Sequence, residues 1–212
     1  MRAAEALIGE VGPRAFTLRE VARRAGVSHN APYRHFESRD DLLIAVAVEG
    51  FERLRASMTR RMERGASARE RLVLCGCGYV EFALLWPQHF MVMFDLAGLL
   101  DGECAQAKIG ESAFQVLLDA IAATQQANVF PKGDPLPLAW TAWSLVHGIA
   151  KLAIGGNLPL NQRTTLDFTR QAADSIIEGM KQCGARVKSA PARDGNPARK
   201  SGTKGATKTG SC

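Results

Sequence analysis

The chain has 212 residues, 46% of them hydrophobic and 23% charged, with a formal net charge of +6, which allows one large core or a small domain joined to a bigger one. Its longest apolar stretch, Leu72 to Trp86, is interrupted by Glu81 and falls short of the roughly 20 residues that a spanning helix needs, so no membrane partner is expected. The opening residues lack a charged-then-apolar export pattern, and a cytoplasmic protein is expected.

Alternating runs of β-branched residues are missing, so the predicted elements are all helices. Gly12-Pro13 closes a first segment, Gly26 a second and Gly65 a long fourth, while Pro87 breaks a fifth. Later breaks fall at Gly102, at Pro131 to Pro137 and at Gly155 to Pro159. Thr17-Leu18-Arg19-Glu20 and Ser67-Ala68-Arg69-Glu70 read as capping boxes, and Ser38-Arg39-Asp40-Asp41 as a related start with two carboxylates at the positive end of the helix dipole.

Residues 17–36, TLREVARRAGVSHNAPYRHF, have the order of a helix-turn-helix. Leu18, Val21 and Ala22 form one apolar face, and Gly26 permits a left-handed turn. Val27 is expected to plug the space between the helices, and Ser28 to cap the second one. That second helix would present His29, Asn30, Tyr33, Arg34 and His35, donors and acceptors on an element small enough for the major groove.

Through AAEALIGEVG, FTLREVARRAGVS and YRHFESRDDLL, from about Arg2 to Phe51, the sequence resembles the DNA-binding domain of the TetR/AcrR family. The resemblance implies an all-α regulator: a three-helix helix-turn-helix domain over residues 1–48, then a helical effector-binding and dimerisation domain over residues 49–183. By position, Thr17, Tyr33, His35 and Arg39 would hold phosphates, while Ser28, His29, Asn30 and Arg34 would face bases or adjacent phosphates. Phe16, Leu18, Val21, Val27, Phe36 and Leu42 would form the small core. Pro32 departs from the family's usual aliphatic or aromatic residue and is expected to shorten the recognition helix by part of a turn, since it has no N–H. The family's basic arm ahead of the first helix is expected either to be missing or to lie upstream of Met1.

From Ser67 onward large apolar residues dominate, most of them core. Phe82, Trp86, His89, Phe90, Phe94, Phe114, Trp143 and His147 are the candidate lining of an effector pocket, with His89 its polar handle. Trp143, His147 and Gly148 look like the tryptophan-histidine-glycine (WHG) signature of one C-terminal subclass. Gly148 would allow another helix close. The last two helices, expected at about Leu136 to Ile154 and Leu160 to Gln182, would build a homodimer interface through Leu166, Phe168, Ala172, Ala173, Ile176, Ile177 and Met180. The reading implied is a repressor released from a palindromic operator on double-stranded DNA by a small hydrophobic effector.

No catalytic, cofactor or metal motif is found: there is no P-loop, no Gly-x-Ser-x-Gly elbow and no His-Glu-x-x-His. Cys75, Cys77, Cys104, Cys183 and Cys212 have no framework spacing and are expected to be reduced, with Cys75 and Cys77 as buried small hydrophobes. Residues 184–212 carry 7 basic groups against 1 acidic with almost no large apolar residue, and are expected to be a disordered basic tail. They supply the alternative reading, a non-specific DNA-binding protein driven by that tail.

Overall fold

Eight helices follow one another in the computed structural model, which describes residues 1–95 and 105–183. They are α1 (Arg2–Val11), α2 (Leu18–Ala25), α3 (Arg39–Met62), α4 (Ala68–Leu85), α5 (Pro87–Asp95), α6 (Ala105–Gln126), α7 (Leu136–Ile154) and α8 (Gln162–Cys183), with a 3₁₀ turn at Pro32–Arg34. There is no strand among the described residues, and no helix there is long and apolar enough to cross a membrane. The expected tail, the break at Gly102, Cys104, Cys212 and the side chain of Cys183 lie outside the described residues.

Helix starts obey local chemistry. Thr17 Oγ1 accepts the Glu20 N–H at 3.2 Å and Glu20 Oε2 accepts the Thr17 N–H at 2.7 Å. Ser38 and Asp41 close a second reciprocal box, at 3.1 and 2.9 Å. The box expected at Ser67 closes differently: Ser67 Oγ accepts the Glu70 N–H, but the Glu70 carboxylate takes the N–H of Ala66, one residue earlier. At the other end of α2, Gly26 adopts φ 68°, the left-handed geometry expected of it.

The central helix is α4, apolar on nearly every side and packed against α3, α6, α7 and α8. Its closest approach is to α3. A Cβ on Gly78 would lie 2.7 Å from Met58 Cα and 2.7 Å from the Ser57 carbonyl oxygen, so only glycine permits this crossing. Ser57 Oγ donates to the Gly78 carbonyl at 3.0 Å, and Arg61 forks onto Glu81 at 2.9 and 2.6 Å a turn further along. The helix-turn-helix and the larger bundle are not separate cores: one cluster runs from Ala4 and Leu7 through Leu42, Val46 and Met58 to Ile177 and Met180. The boundary expected between residues 48 and 49 falls inside α3, a single continuous helix.

Candidate nucleic-acid interface and apolar cavity

α1, α2 and the first turns of α3 form a small trihelical unit whose core holds Phe16, Leu18, Val21 and Leu42, with Phe36 half-buried. Val27 does not plug the space between the two segments as expected: the residue is 48% exposed, and its N–H reaches the Ala22 carbonyl at 3.1 Å. The expected second helix is also cut back further than part of a turn. Residues 28–36 are tied by short-range bonds, Ala31 N–H to Ser28, Arg34 N–H to Ala31 and His35 N–H to Pro32, which make one 3₁₀ turn with no α-helical run. Pro32 has no N–H to give the Ser28 carbonyl, which removes the bond that would begin an α-helix. Ser28 caps nothing, because Ala31 stands at the N-cap and no side chain bonds there.

Ser28, His29, Asn30, Tyr33, Arg34 and His35 nevertheless share the solvent-facing side of this turn, all exposed. Arg19 and Arg23 on α2 are exposed as well, and with Arg34 they form no ion pair among the described residues. Two of the expected phosphate contacts are already engaged. Thr17 Oγ1 sits 3.0 Å from Glu20 Oε2 in its capping box. Arg39 donates to the Arg14 carbonyl at 2.8 Å and to Asp40 Oδ1 at 3.1 and 3.2 Å, tying the start of α3 to the loop after α1.

In the larger bundle a cavity of about 370 Å³ opens between α3, α4, α5, α6 and α7. Of the eight candidate pocket residues, Phe94, Phe114 and Trp143 are on its wall, together with Phe51, Leu54, Met58, Tyr79, Leu117 and Trp140, which no local sequence signal marks. Phe51 meets Phe94 edge-on at 6.0 Å, and Phe114 meets Trp143 at 5.8 Å. The other five candidates are not on its wall. Phe82 and Phe90 are fully buried. Trp86 packs on Phe82 and carries the Arg53 guanidinium 5.3 Å above its ring.

His147 acts one shell further out: its Nδ1 lies 2.9 Å from the Tyr79 hydroxyl, which also accepts the Trp143 indole N–H at 3.2 Å. Burial pushes the Tyr79 phenol well above its ordinary range, so it stays protonated. His89 is 1% exposed and faces Glu5 and Glu49, away from the cavity. Burial lowers its pKa against the opposing pull of both carboxylates. Cys75 and Cys77 are buried thiols, Cys75 pushed up to about 12 by desolvation, so neither is a ready thiolate. Gly148 has nothing within 4 Å of an added Cβ, so no other helix among the described residues approaches it.

Two family models match the sequence. Residues 1–46 match the bacterial regulatory proteins of the tetR family, and residues 72–176 match the tetracyclin repressor-like C-terminal domain. The HTH-type transcriptional regulator BetI of Rhizobium meliloti (strain 1021) is 39% identical over 70 residues, a match spanning 33% of this chain and only 34% of that protein. A protein of unknown function from Rhodococcus sp. RHA1 has a solved structure that is 32% identical, covering 85% of this chain and 93% of its own, with a TM-score of 0.73. The transcriptional regulator FadR of Bacillus subtilis, solved with stearoyl-CoA, shares the fold at 16% identity and a TM-score of 0.69, covering 84% of this chain and 96% of its own. With both halves matched in order, the chain belongs to the TetR family of bacterial regulatory proteins.

Proposed function

We propose that the protein is a dimeric, operator-binding repressor released from a near-palindromic site by a small hydrophobic effector held in the 370 Å³ cavity. The observation that carries the DNA reading is the exposed row Ser28, His29, Asn30, Tyr33, Arg34 and His35, backed by the unpaired Arg19 and Arg23. Arginine and asparagine there read base edges, while Tyr33 and His35 fix register on phosphates, Arg39 being held to Arg14 and Asp40. The cavity supports the effector reading: its volume lies in the range of small-molecule sites, and its wall is apolar and aromatic, with the Tyr79–Trp143–His147 chain at one side as a polar fixture.

Dimerisation is supported by α7 and α8. Trp140, Leu152 and Phe168 are 42%, 47% and 42% exposed, and Gly148 and Gly179 leave open space beside them. A partner's helices packed there would space two recognition turns about one DNA turn apart. An effector that prefers a differently spaced dimer would lower DNA affinity. Trp143, His147 and Gly148 suit the WHG type of C-terminal domain, whose signature the Tyr79 contact gives a physical role.

Selection of bound sequences from a random duplex pool, at physiological salt with wild type and Tyr33→Ala in parallel, tests the DNA reading. A shared near-palindromic site recovered by wild type alone is the expected result; no shared sequence from either protein would shift the reading to salt-dependent binding through the basic tail. The recovered site then serves to screen hydrophobic compounds, including long-chain acyl-CoAs, for release of DNA and a raised melting temperature.

A further inference from the structure

We infer that Glu5, Glu49 and His89 form a binding site for a divalent transition-metal ion of the zinc class, joining the DNA-binding unit to the effector half. Glu5 comes from α1, Glu49 from the middle of α3 and His89 from α5, so no sequence spacing announces the site. One ligand atom from each lies within 4.8 Å of the other two. His89 Nε2 is 3.8 Å from Glu5 Oε1 and 3.9 Å from Glu49 Oε2, beyond hydrogen-bond reach of either carboxylate.

The imidazole is what points to a ligand. His89 is 1% exposed, and its Nε2 has no hydrogen-bond partner among the described residues, a state that costs free energy unless something occupies the space between it and the two carboxylates. One nitrogen and two carboxylate oxygens are a donor set suited to zinc, with a fourth position left for water or another ligand. Ligands about 2.1 Å from a tetrahedral ion stand roughly 3.4 Å apart, so the two gaps to His89, 3.8 and 3.9 Å, need to close by about half an ångström, and the gap between the two carboxylates, within 4.8 Å, by about 1.4 Å at most. Glu5 and Glu49 can supply that movement, since their side chains are 25% and 31% exposed. Arg53 binds the other oxygen of Glu49, which aims Oε2 at His89. Its positive charge opposes the ion, which both carboxylates offset.

The test uses the full-length chain, stripped with a chelator and dialysed. Cobalt(II) titration should give weak visible bands saturating at one ion per protomer, without the intense near-ultraviolet band of cobalt–thiolate bonds. Zinc competition against a chromophoric chelator should then show Glu5→Gln and His89→Gln each weakening affinity by about tenfold or more, since even second-sphere changes cost that much. Zinc should raise the melting temperature of wild type and not of Glu5→Gln. Metal-free melting of both variants checks folding; if His89→Gln is unfolded, the more exposed Glu5→Gln decides alone. No saturable uptake at micromolar ion, a thiolate band, or affinity unchanged in Glu5→Gln would each overturn the site.

Discussion

The Tyr79 hydroxyl stands between Trp143 and His147, accepting the indole N–H at 3.2 Å and lying 2.9 Å from His147 Nδ1. A hydroxyl can donate one proton and accept two, so this oxygen can serve both neighbours at once. Tyr79→Phe deprives two polar groups of this partner in an apolar setting, at a cost of about 1–3 kcal/mol. Melting should fall by roughly 2–4 °C per kcal/mol. If the hydroxyl also fixes ligand orientation, the variant should bind the screened effector more weakly while its DNA affinity without effector stays that of wild type. An unchanged melting temperature would mean the hydroxyl bridge adds nothing to stability.

Much of this arrangement can be read in the sequence, and the missing part has a definite cause. α7 runs from Leu136 to Ile154 as expected, because the proline-rich loop and Gly155 bound it. The Thr17 capping box and the Gly26 turn are likewise matters of nearest neighbours. Which aromatics line the cavity is not a local property. Beyond its first turn α4 is apolar except at Glu81, too little of a polar stripe to orient it, so Tyr79 and Phe82, three residues apart, look equivalent in sequence. The crossing of α3 over α4 turns Tyr79 to the cavity and buries Phe82. Phe51 and Met58 carry no local signal either, because α3 serves the trihelical unit at one end and the cavity at the other.

That crossing depends on one missing methyl group. An alanine side chain at Gly78 would meet the backbone of Ser57 and Met58 at 2.7 Å, and backbone cannot rotate away as a side-chain tip can. Overpacking of this kind costs about 1–3 kcal/mol, and Gly78→Ala should reach the upper end. The cavity wall should shift too, since Met58 lines it. Thermal unfolding measures the first effect and effector affinity the second; a variant as stable as wild type would show that the helices separate freely.

A turn beyond the crossing, Glu81 receives a fork of hydrogen bonds from Arg61, which holds its carboxyl below the ordinary value of 4.5. A carboxylate depressed in the folded state adds stability that is fully present above its unfolded pKa and is lost as pH falls through the folded pKa. Wild type should therefore lose melting temperature below about pH 4.5 more steeply than Glu81→Gln, which has no charge to forfeit. At neutral pH the order of stability should favour wild type. Parallel curves for the two proteins from pH 6 to 3 would show that the pair contributes nothing.

The 3₁₀ turn at Pro32–Arg34 sets how the proposed reading of DNA is prepared. Ala31 already has α-helical angles, φ −62° and ψ −44°, so the missing feature is the N–H at position 32 rather than the path of the chain before it. Pro32→Ala restores that donor, worth about 1 kcal/mol net, and gives up about 0.4–1 kcal/mol of unfolded-state restriction. The melting temperature should thus barely move. Amide exchange over residues 31–36 should slow as the α-helix extends. If bases are read from an α-helix, the variant begins with part of that ordering done and should bind the selected duplex several-fold tighter with the same sequence preference. Arg34→Ala provides the opposite control, losing about 1–3 kcal/mol of binding and relaxing preference at one base pair. Weaker binding by Pro32→Ala, with Arg34→Ala still impaired, would show that DNA is met by the tight turn itself.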